Sequence, residues 1–417
     1  MKIFANRKGS PVRRLIALAA LLVLTGVARA QLVPSLPPVS LPVPGLPGVG
    51  RLTDDVLRAP EAAARILDDA RRATIDRLVR DNPGRIAFDP QGNPARAGEV
   101  VVDSPDAALI ATAQAKGYRV IERDDVLGVV FARLAVPSGK SLKAATGEIR
   151  KLGGSVSADQ IHLASGVLAG SPALPDPGNG PLLGVIDGGV AGAAASAGFA
   201  SGAPRANDHG TAIASLIAGA GAVRGGLPGA RIASADVYGS DPAGGNATAI
   251  AKALGWMVDQ RVAVVTISLV GPANPVLGRV VAAAQARGLV IVAAVGNNGA
   301  AAPPGYPASY PGVIAVTGVD GRDRVLIEAG RATHLDYAAP GADMLAAGIG
   351  GRTFRVRGTS FAAPLVAAVI ARFYTMPGNP RAALARVDAI ARDLGPKGPD
   401  KLYGRGLVCG ECRTPIR

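Results

Sequence analysis

The chain has 417 residues, 48% apolar and 18% charged, with 55 glycines, 33 prolines and only 4% aromatic residues. That length and apolar content exclude a disordered or fibrous chain and allow two or three domains, the largest with a core built mainly from Ala, Val, Leu and Ile. The net charge of +14 does not point to nucleic acid. Six of the excess positive charges (Lys2, Arg7, Lys8, Arg13, Arg14 and Arg29) lie in the first thirty residues, which hold no acid; the other Lys and Arg are scattered among acids without interleaved aromatic residues.

Residues 1–30 have the layout of an export signal: a basic stretch ending at Arg14, an apolar run from Leu15 to Val27, and Ala28-Arg29-Ala30 as a small-x-small cleavage site. The apolar run is short for a membrane span, and a retained anchor is the alternative. This pattern predicts a secreted or periplasmic protein with no membrane association once the signal is removed, and a monomer. Residues 31–50 carry Pro34, Pro37, Pro38, Pro42, Pro44 and Pro47, which predicts an extended linker. Residues 51–97 form a helical N-terminal region. Its apolar residues from Leu52 to Leu78 recur at helical spacing behind Thr53-Asp54-Asp55, with Pro60 as the place where the helix would break.

Residues 98–163 alternate strand and helix periodicities. Strands are predicted at Glu99–Val102, Tyr118–Ile121, Val126–Val136 and Ser155–Ile161, with helices from a Ser104 cap to Ala115 and from Ser141 to Leu152. The order βαββαβ is that of a small α+β, ferredoxin-like domain. Residues 164–180, rich in Gly, Ser, Pro and Ala, are predicted to be a linker. From 181 to 417, apolar strands (Leu182–Ile186, Ile232–Val237, Val262–Leu269, Val290–Val295, Val313–Val316) alternate with helices (Thr211–Gly219, Thr248–Gln260, Pro275–Arg287). Such continuous apolar strands predict an α/β domain with a parallel sheet covered by helices on both faces.

Three residues at strand ends or helix starts carry the chemistry. Asp187 ends the first strand in Gly184-Val-Ile-Asp-Gly-Gly-Val190, His209 opens a helix in Asp208-His-Gly-Thr211, and Ser360 opens another in Gly358-Thr-Ser-Phe-Ala-Ala-Pro364. A serine hydroxyl needs a neutral imidazole to take its proton, and the imidazole needs a carboxylate to fix its tautomer and stabilise its cation. The small residues around Ser360 allow close backbone approach, and the following helix aims N–H groups at developing negative charge.

These motifs, in this order, resemble the subtilisin family of serine peptidases over about Leu182 to Val408. The resemblance implies a subtilisin-like fold and an exported serine endopeptidase with Asp187, His209 and Ser360 as its triad. It implies further that Asn297, in Val292-Ala-Ala-Val-Gly-Asn-Asn-Gly299, is the oxyanion donor, and that Ser268, Leu269, Val270 and Gly271 line the substrate pocket. A cis bond before Pro307 in Gly305-Tyr-Pro307 is implied as well. Residues 98–163 resemble the inhibitory propeptide of the family, which implies an autoprocessed proenzyme cut between His162 and Gly180, with its own propeptide as partner beside a protein or peptide substrate.

Gly188 departs from the family's usual Ser or Thr and removes a hydroxyl that could brace Asp187. Val270 departs from the usual Gly and predicts a narrowed pocket. The segment between Asp187 and His209 offers few carboxylates for the calcium that many relatives bind, so no metal site and no cofactor are assigned. Cys409 and Cys412 are expected to form a local disulfide. A catalytically dead scaffold, a dedicated processing protease and a nucleotide-binding protein are the competing readings. The last is weakened because Gly188-Gly-Val-Ala-Gly192 lacks the Gly-x-Gly-x-x-Gly spacing.

Overall fold

A computed structural model describes residues 60–164, 167–171, 179–376 and 378–416. The export signal, the Pro-rich linker and the first part of the helical region lie outside the described residues. The helix α1 (Pro60–Asp81) runs three residues past Leu78, which is buried.

The small domain comprises β1 (Ile86–Phe88), β2 (Pro94–Asp103), α2 (Ala107–Ala115), β3 (Arg119–Val126), β4 (Val129–Ala135), α3 (Leu142–Lys151) and β5 (Ser155–Gln160). Its strands lie in the order β3-β4-β2-β5, all antiparallel, and β1 adds a short antiparallel pairing to β2 upstream of residue 98. Val100 and Val102 face the domain's own core with Ile110, Leu134 and Ile149, while Val101 between them is equally buried on the opposite face.

Two local expectations are corrected. The helix α2 is capped by Asp106, whose carboxylate accepts from the Leu109 N–H at 2.7 Å, and not by Ser104. Ser104 is instead held at the strand end, where its N–H donates to Val130 O. Val126 closes β3 and does not begin β4. It pairs with Val129 across the two-residue turn Leu127-Gly128, both at positive φ as such a hairpin requires.

The segment expected to be a linker supplies two strands. β6 (Leu163–Ala164) and β7 (Val167–Ser171) each pair antiparallel with strands far along the chain. The second half of the chain follows as β8 (Leu182–Asp187), β9 (Ala195–Gly198), α4 (Asp208–Ala218), β10 (Arg231–Asp236), α5 (Ala247–Asp259), β11 (Val264–Ile267), β12 (Leu269–Val270), α6 (Pro275–Ala286), β13 (Val290–Ala294), β14 (Ile314–Val319), β15 (Tyr337–Pro340), β16 (Met344–Ala347), β17 (Thr353–Arg357), α7 (Ala363–Phe373) and α8 (Pro380–Ile390). Seven strands form one sheet in the order β15-β14-β13-β11-β8-β10-β9, every pair parallel. From β8 the chain builds first toward β9 and β10 and then toward β11 and beyond. The carboxyl end of β8, where Asp187 sits, is therefore the switch point at which such sheets bind ligands.

The small sheet rests on α5 and α6. Asp159 accepts from the Thr248 N–H and hydroxyl at 3.0 and 2.8 Å, in the first turn of α5, where the helix dipole favours an anion. Asn274, the cap of α6, donates to Gln160 Oε1 at 2.8 Å, and Lys252 pairs with Asp124 at 3.1 Å. Cys409 and Cys412 form the expected disulfide, both buried; beyond it Thr414 accepts from the Arg224 N–H. No helix among the described residues is long and apolar enough to cross a membrane.

Candidate active site

Asp187, fully buried at the end of β8, accepts through Oδ1 from its neighbour's Gly188 N–H at 2.8 Å and lies 2.9 Å from Nδ1 of His209. A carboxylate at that distance selects the imidazole tautomer with the proton on Nδ1, which leaves Nε2 as the basic nitrogen. His209 is the second residue of α4, whose start is fixed by the Asn207 cap accepting from the Gly210 N–H at 2.7 Å. Asp208 turns the other way, accepting from the Ile349 N–H at 2.9 Å and pairing with Arg352. The His209 ring packs at a tilt against Phe361, centroids 5.5 Å apart.

Ser360 lies in the single 3-10 turn Thr359–Phe361 that leads into α7, so the regular helix begins three residues after the serine. Gly358 before it takes φ 140°, a backbone that a side chain disfavours. The turn is locked to the pocket strand by a reciprocal pair: the Ser360 hydroxyl donates to Ser268 O at 3.1 Å, and the Ser268 hydroxyl donates to Ser360 O at 2.8 Å. Asn297 Oδ1 accepts from both the N–H and the hydroxyl of Thr359, at 3.0 and 3.1 Å, while that hydroxyl accepts from the Gly296 N–H. Holding the amide by its oxygen leaves its NH2 end to donate to an anion formed at Ser360.

Leu269 and Val270 form β12, and Val270 is wedged between two glycines. A Cβ on Gly305 would come within 2.4 Å of its side chain and one on Gly296 within 3.0 Å. Along β12 runs β6, with Ala164 opposite Leu269 and Leu163 opposite Val270. On its other side the His162 N–H donates to Gly245 O at 2.8 Å, and Ile161 bridges to Asn246. His162 is fully buried. Its carbonyl accepts from the Tyr238 hydroxyl at 2.8 Å, and its ring lies against Gly271, where a Cβ would stand 2.6 Å from it. Burial pulls this imidazole down to about 4, and the nearby backbone of Gln160, Pro272 and Gly245 offsets only part of the effect.

The eight residues singled out in the sequence thus lie on segments in contact with one another, joined by the Asp187–His209, Ser360–Ser268 and Thr359–Asn297 bonds and by Val270 against Gly296. His334 is elsewhere, held by Val313 O at 2.8 Å. The peptide bond Tyr306–Pro307 is cis, as is Ala203–Pro204. Sequence reasoning missed three contributors: Thr359 and Asn207, both within or beside quoted motifs, and Leu67 of α1, whose side chain lies against Gly299, two residues past Asn297. No calcium site is assigned among the described residues. Their one group of three potential ligand side chains is Cys409, Glu411 and Cys412, and its sulfurs are bonded to each other.

A buried carboxylate behind an imidazole, a serine at a helix head and an amide donor beside it, at the switch point of a parallel sheet, make up a serine-nucleophile site. The chain belongs to the subtilase family, whose pattern matches residues 178–406. It is 32% identical to subtilisin E from Bacillus subtilis (strain 168) over 164 residues, 38% of this chain and 42% of that one. It is 34% identical to the thermophilic serine proteinase of Bacillus sp. (strain AK1) over 157 residues, 37% of this chain and 39% of that one. The matches thus span about two fifths of those relatives' length. Its fold resembles that of fervidolysin from Fervidobacterium pennivorans, a keratinolytic enzyme related to subtilisin, with a TM-score of 0.61 and 19% identity over 79% of this chain and 63% of that one. It also resembles the epidermin leader peptide processing serine protease of Staphylococcus aureus, with a TM-score of 0.57 and 15% identity over 76% and 97%.

Proposed function

We propose that the protein is an exported serine endopeptidase, made as a precursor in which residues 98–163 inhibit residues 181–417 until the chain cuts itself. The observation that carries the peptidase reading is the 2.9 Å contact of Asp187 with His209, in a site that also holds Ser360 and Asn297. In this mechanism His209 Nε2 takes the hydroxyl proton of Ser360 as its oxygen attacks the substrate carbonyl. Asp187 stabilises the resulting imidazolium, and Asn297 with the Ser360 N–H receives the oxyanion. His209 then returns the proton to the leaving amine, and water repeats the cycle on the acyl-enzyme. A fluorophosphonate probe is expected to label Ser360 in the matured wild type and to leave His209→Ala unlabelled. Labelling of neither would favour a dead scaffold, and equal labelling of both would remove His209 as the base.

The precursor reading is supported by the strand at Leu163–Ala164, which lies on β12 as an antiparallel strand, the way a protease holds its substrate. It continues directly from β5 of the small sheet, so cleavage between His162 and Gly180 would separate the two halves. The domain division that goes with this reading is signal 1–30, linker 31–50, N-terminal region 51–97, inhibitor 98–163, connecting segment 164–180 and catalytic domain 181–417, with the boundary at 98 corrected: the helix ends at Asp81, and β1 and the start of β2 belong to the small sheet. The export half of the proposal rests on the basic-apolar-small pattern of residues 1–30.

The Val270 wedge bears on specificity. Its two methyls take up volume at the pocket wall, so the residue before the scissile bond should be small or medium, such as Ala, Val or Leu. Val270→Gly is expected to raise the preference for Phe or Tyr over Ala at that position by roughly tenfold or more, read as a ratio of kcat/KM values on a peptide library. A wild type that already cuts best after aromatic residues would refute the wedge.

A further inference from the structure

We propose that Asn207 is the positioning residue that couples Asp187 to His209, and that residue 188 is glycine because the Asn207 amide occupies the space a side chain would fill. A Cβ built on Gly188 would stand 1.7 Å from Asn207 Nδ2 and 2.4 Å from its Cγ, a collision that forces the Asn207 amide out of the position in which it caps α4. The same amide accepts through Oδ1 from the Gly210 N–H at 2.7 Å, and the Asn207 N–H donates to Gly189 O at 2.8 Å. A Cβ on Gly210 would in turn come within 2.2 Å of Gly188 O. The end of β8 and the first turn of α4 are therefore clasped on both sides of His209, through contacts that leave no slack.

The clasp reaches the two titratable groups directly. The Gly188 N–H holds Asp187 Oδ1, the same oxygen that faces His209 Nδ1, and the Asn207 cap sets the start of the helix that carries His209. Both contacts that orient the carboxylate here, from the Gly188 N–H and from His209 Nδ1, fall on Asp187 Oδ1. Displacing the Gly188 peptide moves the carboxylate, and displacing Asn207 moves the imidazole. In place of a hydroxyl at 188, the Gly188 N–H braces Asp187, and Asn207 fixes the Gly188–Gly189 turn that carries this N–H.

This inference deepens the peptidase reading and rests on it for its kinetic consequence, but its first readout does not need turnover. The full-length chain has only three histidines, and an imidazole N–H bonded to a buried carboxylate gives a proton resonance far downfield. Gly188→Ala should abolish that His209 signal and lower kcat roughly tenfold to a hundredfold with little change in KM. Asn207→Ser retains a capping oxygen on a shorter side chain and should keep the signal. The double variant Gly188→Ala with Asn207→Ser should regain it, because the colliding amide is gone. If Gly188→Ala does not accumulate as folded protein, recovery of folded protein in the double variant is the equivalent result. An intact signal in Gly188→Ala, or a double variant no better than that single one, would overturn the proposal. A wild type with the downfield signal but no fluorophosphonate labelling would sink the peptidase reading and leave the clasp standing.

Discussion

Ser360→Ala is expected to lower peptide hydrolysis by about 10⁶, the loss already known for the same change in subtilisin itself, and to leave the fold intact. The substitution deletes one hydroxyl and adds nothing, so packing around the fully buried position is unchanged. Its structural cost includes the bond to Ser268 O, worth about 1 kcal/mol. The partner bond, from the Ser268 hydroxyl to the Ser360 carbonyl, belongs to the backbone and survives. The thermal midpoint should therefore move by a few degrees at most while turnover vanishes. The same variant separates self-cleavage from cleavage by another protease. Purified alone and weighed by mass spectrometry, Ser360→Ala should stay joined across 162–180 under conditions in which the wild type is trimmed. Trimming of the variant would remove autoprocessing from the mechanism, and retained hydrolysis would remove Ser360.

The parts of this molecule that could be read from sequence are those whose cause is local. The run Val264-Val265-Thr266-Ile267 is β-branched throughout and apolar but for Thr266, as suits a strand buried on both faces, and it lies beside β8 in the middle of the sheet. Asn246 and Asn274 stand where caps are needed and accept from the N–H three residues on. The site motifs were legible for a related reason: each places one functional group at a chain reversal that small residues make possible.

What sequence could not supply are features decided by a partner distant in the chain. Val167–Ser171 has the composition of a linker, and it becomes a strand only because the edge of Thr353–Arg357 is open to it. The cap of α2 is Asp106 and not Ser104, because the Ser104 N–H is paired with the start of β4 and its hydroxyl is held between Asp103 and Arg279. Gly188 is the most instructive case. In sequence it is a missing hydroxyl, hence a weakened Asp187; in space it is the vacancy that lets Asn207 approach. The loss and its compensation are nineteen positions apart, and only the fold brings them together.

The docking of β6 in the cleft is expected to weaken as the pH falls from about 6.5 toward 4. His162 is neutral in its buried place, where its ordinary value of 6.5 is pulled down to about 4 by burial. A depressed histidine favours the docked state only while the undocked imidazole is also neutral. Its contribution is complete above 6.5, declines as the free form charges, and is fully lost below the docked value. The gap corresponds to a roughly 300-fold loss of docking at the acid end. Two other titratable groups lie close to His162: Asp159, at the end of β5 against the first turn of α5, and Tyr238, whose hydroxyl donates to His162 O. Burial pushes the Asp159 carboxyl up, which favours docking at low pH, and the Tyr238 hydroxyl is pushed far out of range and stays neutral throughout. The comparison that isolates the imidazole is therefore His162→Leu against the wild-type residue, both in the uncleaved Ser360→Ala chain. The readout is hydrogen-exchange protection of the residue 162 amide that bonds Gly245 O, corrected for the intrinsic pH dependence of exchange. With histidine, protection should fall steeply between pH 6.5 and 4; with leucine that fall should be absent, leaving only the pH dependence of carboxylates such as Asp159 and Asp124, which both chains share. Parallel curves for the two chains would mean that the buried ring carries no pH dependence. Divergence would make residue 162 the point at which an acidified surrounding loosens the small domain without any bond being cut.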